Sequence, residues 1–228
     1  MNTMNNVSMT SLSPAVIQSL GLSDPQIYQL VHDLLVRHKA GGKILDFGCG
    51  LGKFLETLNS EHFPDRVGVD LMPRPTKLGG QYGWIQHDLN VPLPLENNSI
   101  NVVTSIEVIE HLENPRATAR EWFRILQSGG ILIMSTPNNH SIRSILSYVF
   151  RGHFVSFLEK DYPAHITALT KLDIFRVLKE AGFNEIEFSF VPEGKVPGTG
   201  HLSWTTISGG FLKGQLFSDN IVCVARKP

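Results

Sequence analysis

The sequence predicts an α/β fold, a doubly wound parallel sheet with helices on both faces. Three observations predict it. Short apolar runs alternate with stretches of helical periodicity through most of the chain, the pattern of parallel strands joined by right-handed helical crossovers. A glycine-rich stretch, Gly48-Cys49-Gly50-Leu51-Gly52, separates the first such run from its crossover helix, and an acid, Asp70, closes the next run. The chain of 228 residues, 42% hydrophobic and 18% charged, is long enough for one domain with a full core.

The elements follow in order. Residues 1–12, rich in Asn, Ser, Thr and Met, are expected to form a mobile tail, and residues 13–40 a helical cover. Ser23 or Asp24 caps a helix there, and Pro25 suits its first turn, where a missing N–H costs nothing. Ile27, Leu30, Val31, Leu34 and Leu35 recur at helical spacing, giving an apolar face that packs on its own sheet or on a second subunit. Residues 43–47 are the first strand and 53–59 the helix behind the glycines. Residues 66–70, 82–88 and 100–106 are further strands. Asn114-Pro115 caps a helix to about residue 127, Gly129-Gly130 turns the chain, and 131–135 is the fifth strand. A helix over 141–150 precedes an irregular aromatic segment. Thr170 and Asp173 form a capping box for a helix that Gly182 stops. Strands at 185–191 and 219–226 enclose a Gly/Pro-rich loop, and no repeat or linker divides the chain.

Composition excludes several classes. A net charge of −1 gives no global pull toward nucleic acid or an anionic membrane and leaves only a local patch as a route to either. Two cysteines, Cys49 and Cys223, build no disulfide framework; both are expected in the core, in a reducing, cytoplasmic setting. No apolar run reaches the ~18 residues that cross a bilayer, and residues 1–10 carry neither the basic nor the apolar stretch of a signal peptide.

The glycines lie where strand meets helix. Glycine permits a sharp turn and close approach of a ligand to the main chain, and the helix N-terminus behind offers free N–H groups. Asp70 stands where a carboxylate accepts ribose hydroxyls in a doubly wound sheet. A dinucleotide fingerprint needs its third glycine at position 53, which is Lys53. This disfavours a nicotinamide-dependent oxidoreductase, while a non-catalytic cofactor-binding module stays an alternative to an enzyme.

Ile44-Leu45-Asp46-Phe47-Gly48-Cys49-Gly50-Leu51-Gly52 resembles the first motif of class I S-adenosylmethionine-dependent methyltransferases. Val67-Gly68-Val69-Asp70 resembles their second, and His87-Asp88-Leu89 their third. Residues 106–113, 126–133 and 165–183 resemble later segments, so the likeness spans residues 40–190. It implies a Rossmann-like, seven-stranded, mostly parallel sheet whose last strand is antiparallel. It implies S-adenosylmethionine as cofactor and S-adenosylhomocysteine as product. Asp46 would order the glycine loop and approach the amino-acid part of the cofactor. Gly48 and Gly50 would let the backbone contact the methionine part, with Cys49 beside them. Asp70 would take the ribose, and Leu71 and Met72 would flank the adenine. Asp88 and the Leu89 amide would meet the adenine edge, with Ile106 ending the fourth strand. The plainer reading of Asp70 and Asp88 is a turn carboxylate bonded to its own backbone.

Glu107-Val108-Ile109-Glu110-His111 follows the fourth strand. Histidine removes a proton well near neutral pH, so His111 and Glu110, with His165 downstream, are the candidate catalytic residues. If 107–111 is helical, Glu107, Glu110 and His111 share one face and, with His165, resemble the metal-binding set of small-RNA 2′-O-methyltransferases. Ubiquinone-biosynthesis O-methyltransferases carry a similar arrangement, and the same motif shapes sites in relatives without metal, so no metal is expected. The resemblance to the ubiquinone-pathway enzymes implies O-methylation of a small organic acceptor. Metal-assisted RNA methylation is a minor alternative, since no basic-aromatic stretch supports a nucleic-acid partner. Residues 139–168 and 191–218 are expected to cover the acceptor site, with His153, Phe154, Phe157, Tyr162 and Trp204 as a candidate apolar lid. The alternative for these is ordinary packing. His140 and His201 read as loop residues.

Overall fold

The computed structural model describes residues 23–228. The tail expected over residues 1–12, and residues 13–22 of the expected cover, lie outside the described residues. The first described helix, α1 (Pro25–Arg37), starts as its sequence predicts: the Asp24 side chain accepts from the Gln26 amide and Pro25 opens the first turn. It buries Ile27, Val31, Leu34 and Leu35. These pack with Ile131, Ile133, Val222 and Val224, so α1 covers its own sheet.

Seven strands form one sheet: β1 (Ile44–Phe47), β2 (Arg66–Asp70), β3 (Gly83–Gln86), β4 (Ile100–Ile106), β5 (Leu126–Pro137), β6 (Asn184–Phe190) and β7 (Asn220–Arg226). Their order is β3-β2-β1-β4-β5-β7-β6. The first five are parallel. β7 inserts between β5 and β6 and runs antiparallel to both. The helices are α2 (Lys53–Thr57), α3 (Pro115–Ile125), α4 (Ile142–Arg151), α5 (Lys171–Ala181) and α6 (Trp204–Ser208). One apolar layer joins the sheet to α3 and α5 through Trp122, Ile125, Ile174 and Leu178, with Trp122 edge-on to Phe47 of β1. The other joins it to α1 and α2 through Leu34, Phe54 and Leu55. Sequence-level caps hold: Asn114 accepts from the Ala117 amide, and Thr170 and Asp173 close a capping box with Gly182 in the left-handed stop position.

Boundaries differ: the helix expected over 53–59 ends at Thr57, the strand expected over 82–88 is Gly83–Gln86, a short helix forms in the expected Gly/Pro-rich loop, and the fifth strand starts early. The Gly129-Gly130 turn expected before the fifth strand is inside β5, which begins at Leu126. Leu126 pairs with Ile100, the register then shifts, and Ile131 pairs with Val102. The Gly129 amide donates to the Lys227 carbonyl and the Lys227 amide to the Gly130 carbonyl. The end of β7 thus satisfies the turn's main-chain groups and keeps the segment in the ladder.

The strand order reverses at β1, which has β2 on one side and β4 on the other. In doubly wound sheets the crevice beyond the carboxyl ends of the strands at such a point is where ligands bind. Among the described residues no helix is long and apolar enough to cross a membrane.

Candidate functional site

A cavity of about 590 Å³ opens at that switch point. Asp46, Gly48, Cys49, Gly50, Asp70, Leu71, Met72, Asp88, Leu89 and Ile106 all line it, as do Glu107, Glu110, His111 and His165.

The glycine side is organised by main-chain donors. Gly48, Gly50 and Gly52 have φ of 78°, 52° and 75°, a region that favours glycine. The Gly48 and Cys49 amides donate to the Val69 carbonyl, joining the loop to β2. The Gly50 amide donates to Asp70 Oδ2 at 2.8 Å and the Met72 amide to Asp70 Oδ1 at 2.9 Å. Asp70 therefore clamps the loop, and its oxygens keep lone pairs for further donors. Burial raises its pKa, while amides led by that of Met72 pull it back. Asp46 accepts from Thr104 Oγ1 at 2.8 Å and is pushed up to about 7, chiefly by burial. A Cβ on Gly48 would collide with the Val108 side chain, so the loop also rests on the segment after β4. Asp88 is exposed, and its Oδ1 accepts from the amide and side chain of Asn90, a local Asx turn.

The other side is assembled from distant pieces. Only Ile109–His111 forms a helical turn, of 3₁₀ type, and Glu107 has φ +56°. The helix that would put Glu107, Glu110 and His111 on one face does not form. The left-handed kink instead sends the Glu107 carboxylate to the sheet, where Oε1 accepts from Ser135 Oγ at 2.9 Å and Oε2 from Asn220 Nδ2 at 2.8 Å. Burial pushes Glu107 up to about 7.

Glu110 is fully buried. Its Oε2 accepts from Thr136 Oγ1 at 3.1 Å, and its Oε1 has no hydrogen-bond partner. Burial, then the Glu107 charge, holds its carboxyl well above the usual range. The Glu110 carbonyl accepts from the Ile166 and Thr167 amides, bringing in the segment that carries His165. His111 Nδ1 donates to the Ala164 carbonyl at 2.8 Å, and His165 Nδ1 donates to the Ser156 carbonyl. In its neutral form each ring then carries its lone pair on Nε2. The rings meet edge-on at 4.7 Å. Burial lowers the His111 pKa, so the ring is neutral near pH 7. One ligating atom from each of Glu110, His111 and His165 lies within 4.8 Å of the others. Glu107 is not part of this cluster.

Several lining residues escaped the sequence reading. Ser23, Asp24 and Tyr28 reach the cavity from the start of α1, with the Tyr28 ring on Phe54 at 5.5 Å. Asn220 enters from β7, 113 positions from the glutamate it holds. The Asp24 cap was a usable local signal; Asn220 had none. His153, Phe154, Phe157, Tyr162 and Trp204 do not line the cavity; the 139–168 segment contributes Pro163, His165 and Ile166 instead, and residues 191–218 contribute none. Phe157 packs behind His165, Phe154 stacks on Tyr148 and Trp204 packs on Phe217. His140 Nε2 accepts from the Lys171 amide. Cys49 and Cys223 are free and buried.

A family model described as a methyltransferase domain matches residues 23–187. The ubiquinone biosynthesis O-methyltransferase of Psychrobacter arcticus is 27% identical over 154 residues, covering 63% of this chain and 60% of that protein. A Mycolicibacterium smegmatis protein named "Probable S-adenosylmethionine-dependent methyltransferase" is 32% identical over 163 residues, covering 70% of this chain and 58% of its own length. The chain thus spans about 60% of the length of these curated relatives. The crystal structure of a SAM-dependent methyltransferase from Archaeoglobus fulgidus shares the fold, with a TM-score of 0.59 at 20% identity over 93% of this chain and 98% of that one.

Proposed function

This chain belongs to the class I S-adenosylmethionine-dependent methyltransferases, and we propose that it methylates an oxygen of a small organic acceptor. The observation that carries the proposal is the convergence of Glu110, His111 and His165 in the same cavity as the glycine loop and Asp70. When bound, S-adenosylmethionine supplies an electrophilic methyl group on a sulfonium. The residues present suit it. Asp46 and Asp70 are buried carboxyl groups at the cavity, matched to an ammonium and a ribose diol. Leu71, Met72 and Leu89 offer apolar walls for the adenine, beside Asp88 as an acceptor for its amino group.

On the acceptor side, His111 Nε2 would take the proton of the acceptor hydroxyl, and the Ala164 carbonyl holds the ring in the required tautomer. Glu110, neutral in the buried site, donates a hydrogen bond that orients the acceptor oxygen. His165 closes the same pocket. Alignment and exclusion of water contribute the rest. The names of the ubiquinone biosynthesis O-methyltransferases support oxygen as the acceptor atom, and the buried free thiols support a reducing, cytoplasmic setting. Transfer of a labelled methyl group to a panel of phenolic, amine and carbon acceptors tests the reading. Turnover is expected with phenols; turnover confined to amines or carbon acids overturns the oxygen assignment.

A divalent cation is a second reading, favoured by two observations. Glu110 Oε1 is buried without a partner, and both imidazoles hold Nδ1–H on main-chain carbonyls, as metal-bound histidines do. Glu110, His111 and His165 would hold the ion, and it would acidify an acceptor hydroxyl there. Glu110→Gln separates the readings. A neutral hydrogen-bond donor survives the change within about threefold in turnover. A ligand does not, and metal analysis of the purified protein would then show an ion that the variant lacks.

A further inference from the structure

Helix α4 is built inside out. Ile142, Ile145, Leu146, Val149 and Phe150 repeat at the spacing that normally faces a core. In this helix the buried residues are Ser144 and Ser147, and the apolar stripe looks outward, with Val149 67% and Phe150 79% exposed. The serine side is anchored by main-chain and side-chain bonds: the Val155 amide donates to Ser144 Oγ, and Arg143 pairs with Asp219. The helix is therefore held in this orientation. Its first turn meets the 202–216 loop, where the Ile142 amide donates to the Leu216 carbonyl. That loop exposes Ile207, Leu216 and Phe211, the last at 90%. Exposed apolar surface of this extent marks a contact surface.

Charge selects the partner. Arg151 ends the helix and Lys213 stands two residues from Phe211, both exposed. Neither α4 nor residues 202–216 contain an acidic residue, in a chain whose net charge is −1. An apolar stripe rimmed by aromatic and basic residues, on a helix far too short to cross a bilayer, has the composition of an interfacial membrane helix. We propose that α4 and the 202–216 loop dock this protein on a lipid surface with anionic headgroups. The apolar side chains enter the headgroup–acyl boundary, and the cations hold the headgroups.

The docked face leads to the site. Tyr148 of α4 stacks on Phe154, the Phe157 amide donates to the Phe154 carbonyl, and Phe157 packs on His165. The exposed Tyr162, Pro163 and Ile166 continue this surface, and the last two line the cavity. A membrane on α4 therefore lies beside the acceptor end of the cavity.

Flotation of the full chain with vesicles of phosphatidylcholine, alone or mixed with phosphatidylglycerol, tests the proposal. Binding is expected to the mixed vesicles, to weaken with added salt, and to fall about tenfold or more in Val149→Glu/Phe150→Glu with the circular dichroism spectrum unchanged. Phe211→Glu, on the separate loop, is expected to weaken binding in the same direction. Three outcomes overturn it: no binding to either vesicle, binding indifferent to both variants, or a wild-type dimer that the double variant dissociates, which makes the face a contact between copies. Binding that appears only after deletion of residues 1–22 also overturns it, because the face is then covered by the chain's own N-terminal segment.

Discussion

Along one side of the cavity, Gly48, Gly50 and Asp70 are joined by main-chain amides over a stretch of some 20 residues. Along the other, Glu110 draws on Thr136 and on the Ile166 and Thr167 amides, and Glu107 draws on Ser135 and on Asn220 of the last strand. The first side is a local device of strand, turn and helix whose polar groups satisfy one another. The second is a meeting of segments that only the completed sheet brings together. It leaves a buried carboxyl oxygen without a partner. On the first side the Asp70 oxygens keep lone pairs after clamping the loop. On the second a fully buried oxygen has no partner at all, which on the proposed reading is capacity kept for the acceptor.

Removing one group from each side probes that difference. The largest effect is expected from His111→Ala. Turnover should fall by about 10²–10⁴-fold through loss of the base, with S-adenosylhomocysteine affinity within about twofold. A comparable loss of affinity would show that the two sides are not separable. Asp70→Ala should do the reverse, weakening S-adenosylhomocysteine binding by about 30- to 100-fold in calorimetry (~2–3 kcal/mol). An unchanged dissociation constant would remove Asp70 from the cofactor side.

Gly48→Ala sharpens the comparison at a place where the two sides touch. The new Cβ meets Val108 at a positive φ, so a loss of about 2–3 kcal/mol in denaturant stability is expected. Gly48→Ala/Val108→Ala should recover part of it by removing the collision while keeping the strained φ. Asn220→Ala takes one partner from the Glu107 carboxylate. Turnover should fall only a few-fold, about 1 kcal/mol, and Asn220→Asp more, because it sets a second acid against Glu107.

pH gives the smallest effect. Burial favours neutral His111, so activity should be level at neutral pH and fall only on the acid side, below the ordinary histidine value of 6.5. Asp46 and Glu107 are raised to about 7 in the folded chain, so the native state holds more protons than the unfolded one. Stability of the ligand-free protein should therefore fall as pH rises from the ordinary carboxylate values of about 4 toward about 7, by about 1 kcal/mol per pH unit for each group, and level off above that. Melting temperatures of Asp46→Asn should show a shallower slope than wild type over the same range.

The cofactor side was legible in the sequence because its geometry is encoded by neighbours. Gly48, Gly50 and Gly52 between an apolar run and a helix force the turn, and Asp70 lies one strand on. The caps at Asp24, Asn114 and Thr170 were legible for the same reason. The acceptor side was legible only as a set of residue types. Glu107 and Glu110 sit three apart and invite a helical face, but a left-handed Glu107 parts them. Nothing near Glu107 announces that Asn220 will hold it.

The sequence by itself determined the order of strands and helices, the glycine turn and the clamp on it, since hydrogen bonding and φ preferences act over a few residues or one crossover. Only the tertiary structure decided which side chains gather with Glu110 and His111 in the cavity. Insertion of β7 beside β5 puts Asn220 against Glu107, the Glu110 carbonyl captures the His165 segment, and burial then shifts the carboxyl groups and His111. It also decided that α4 turns its apolar stripe outward. Periodicity specifies a face, and packing chooses what that face meets.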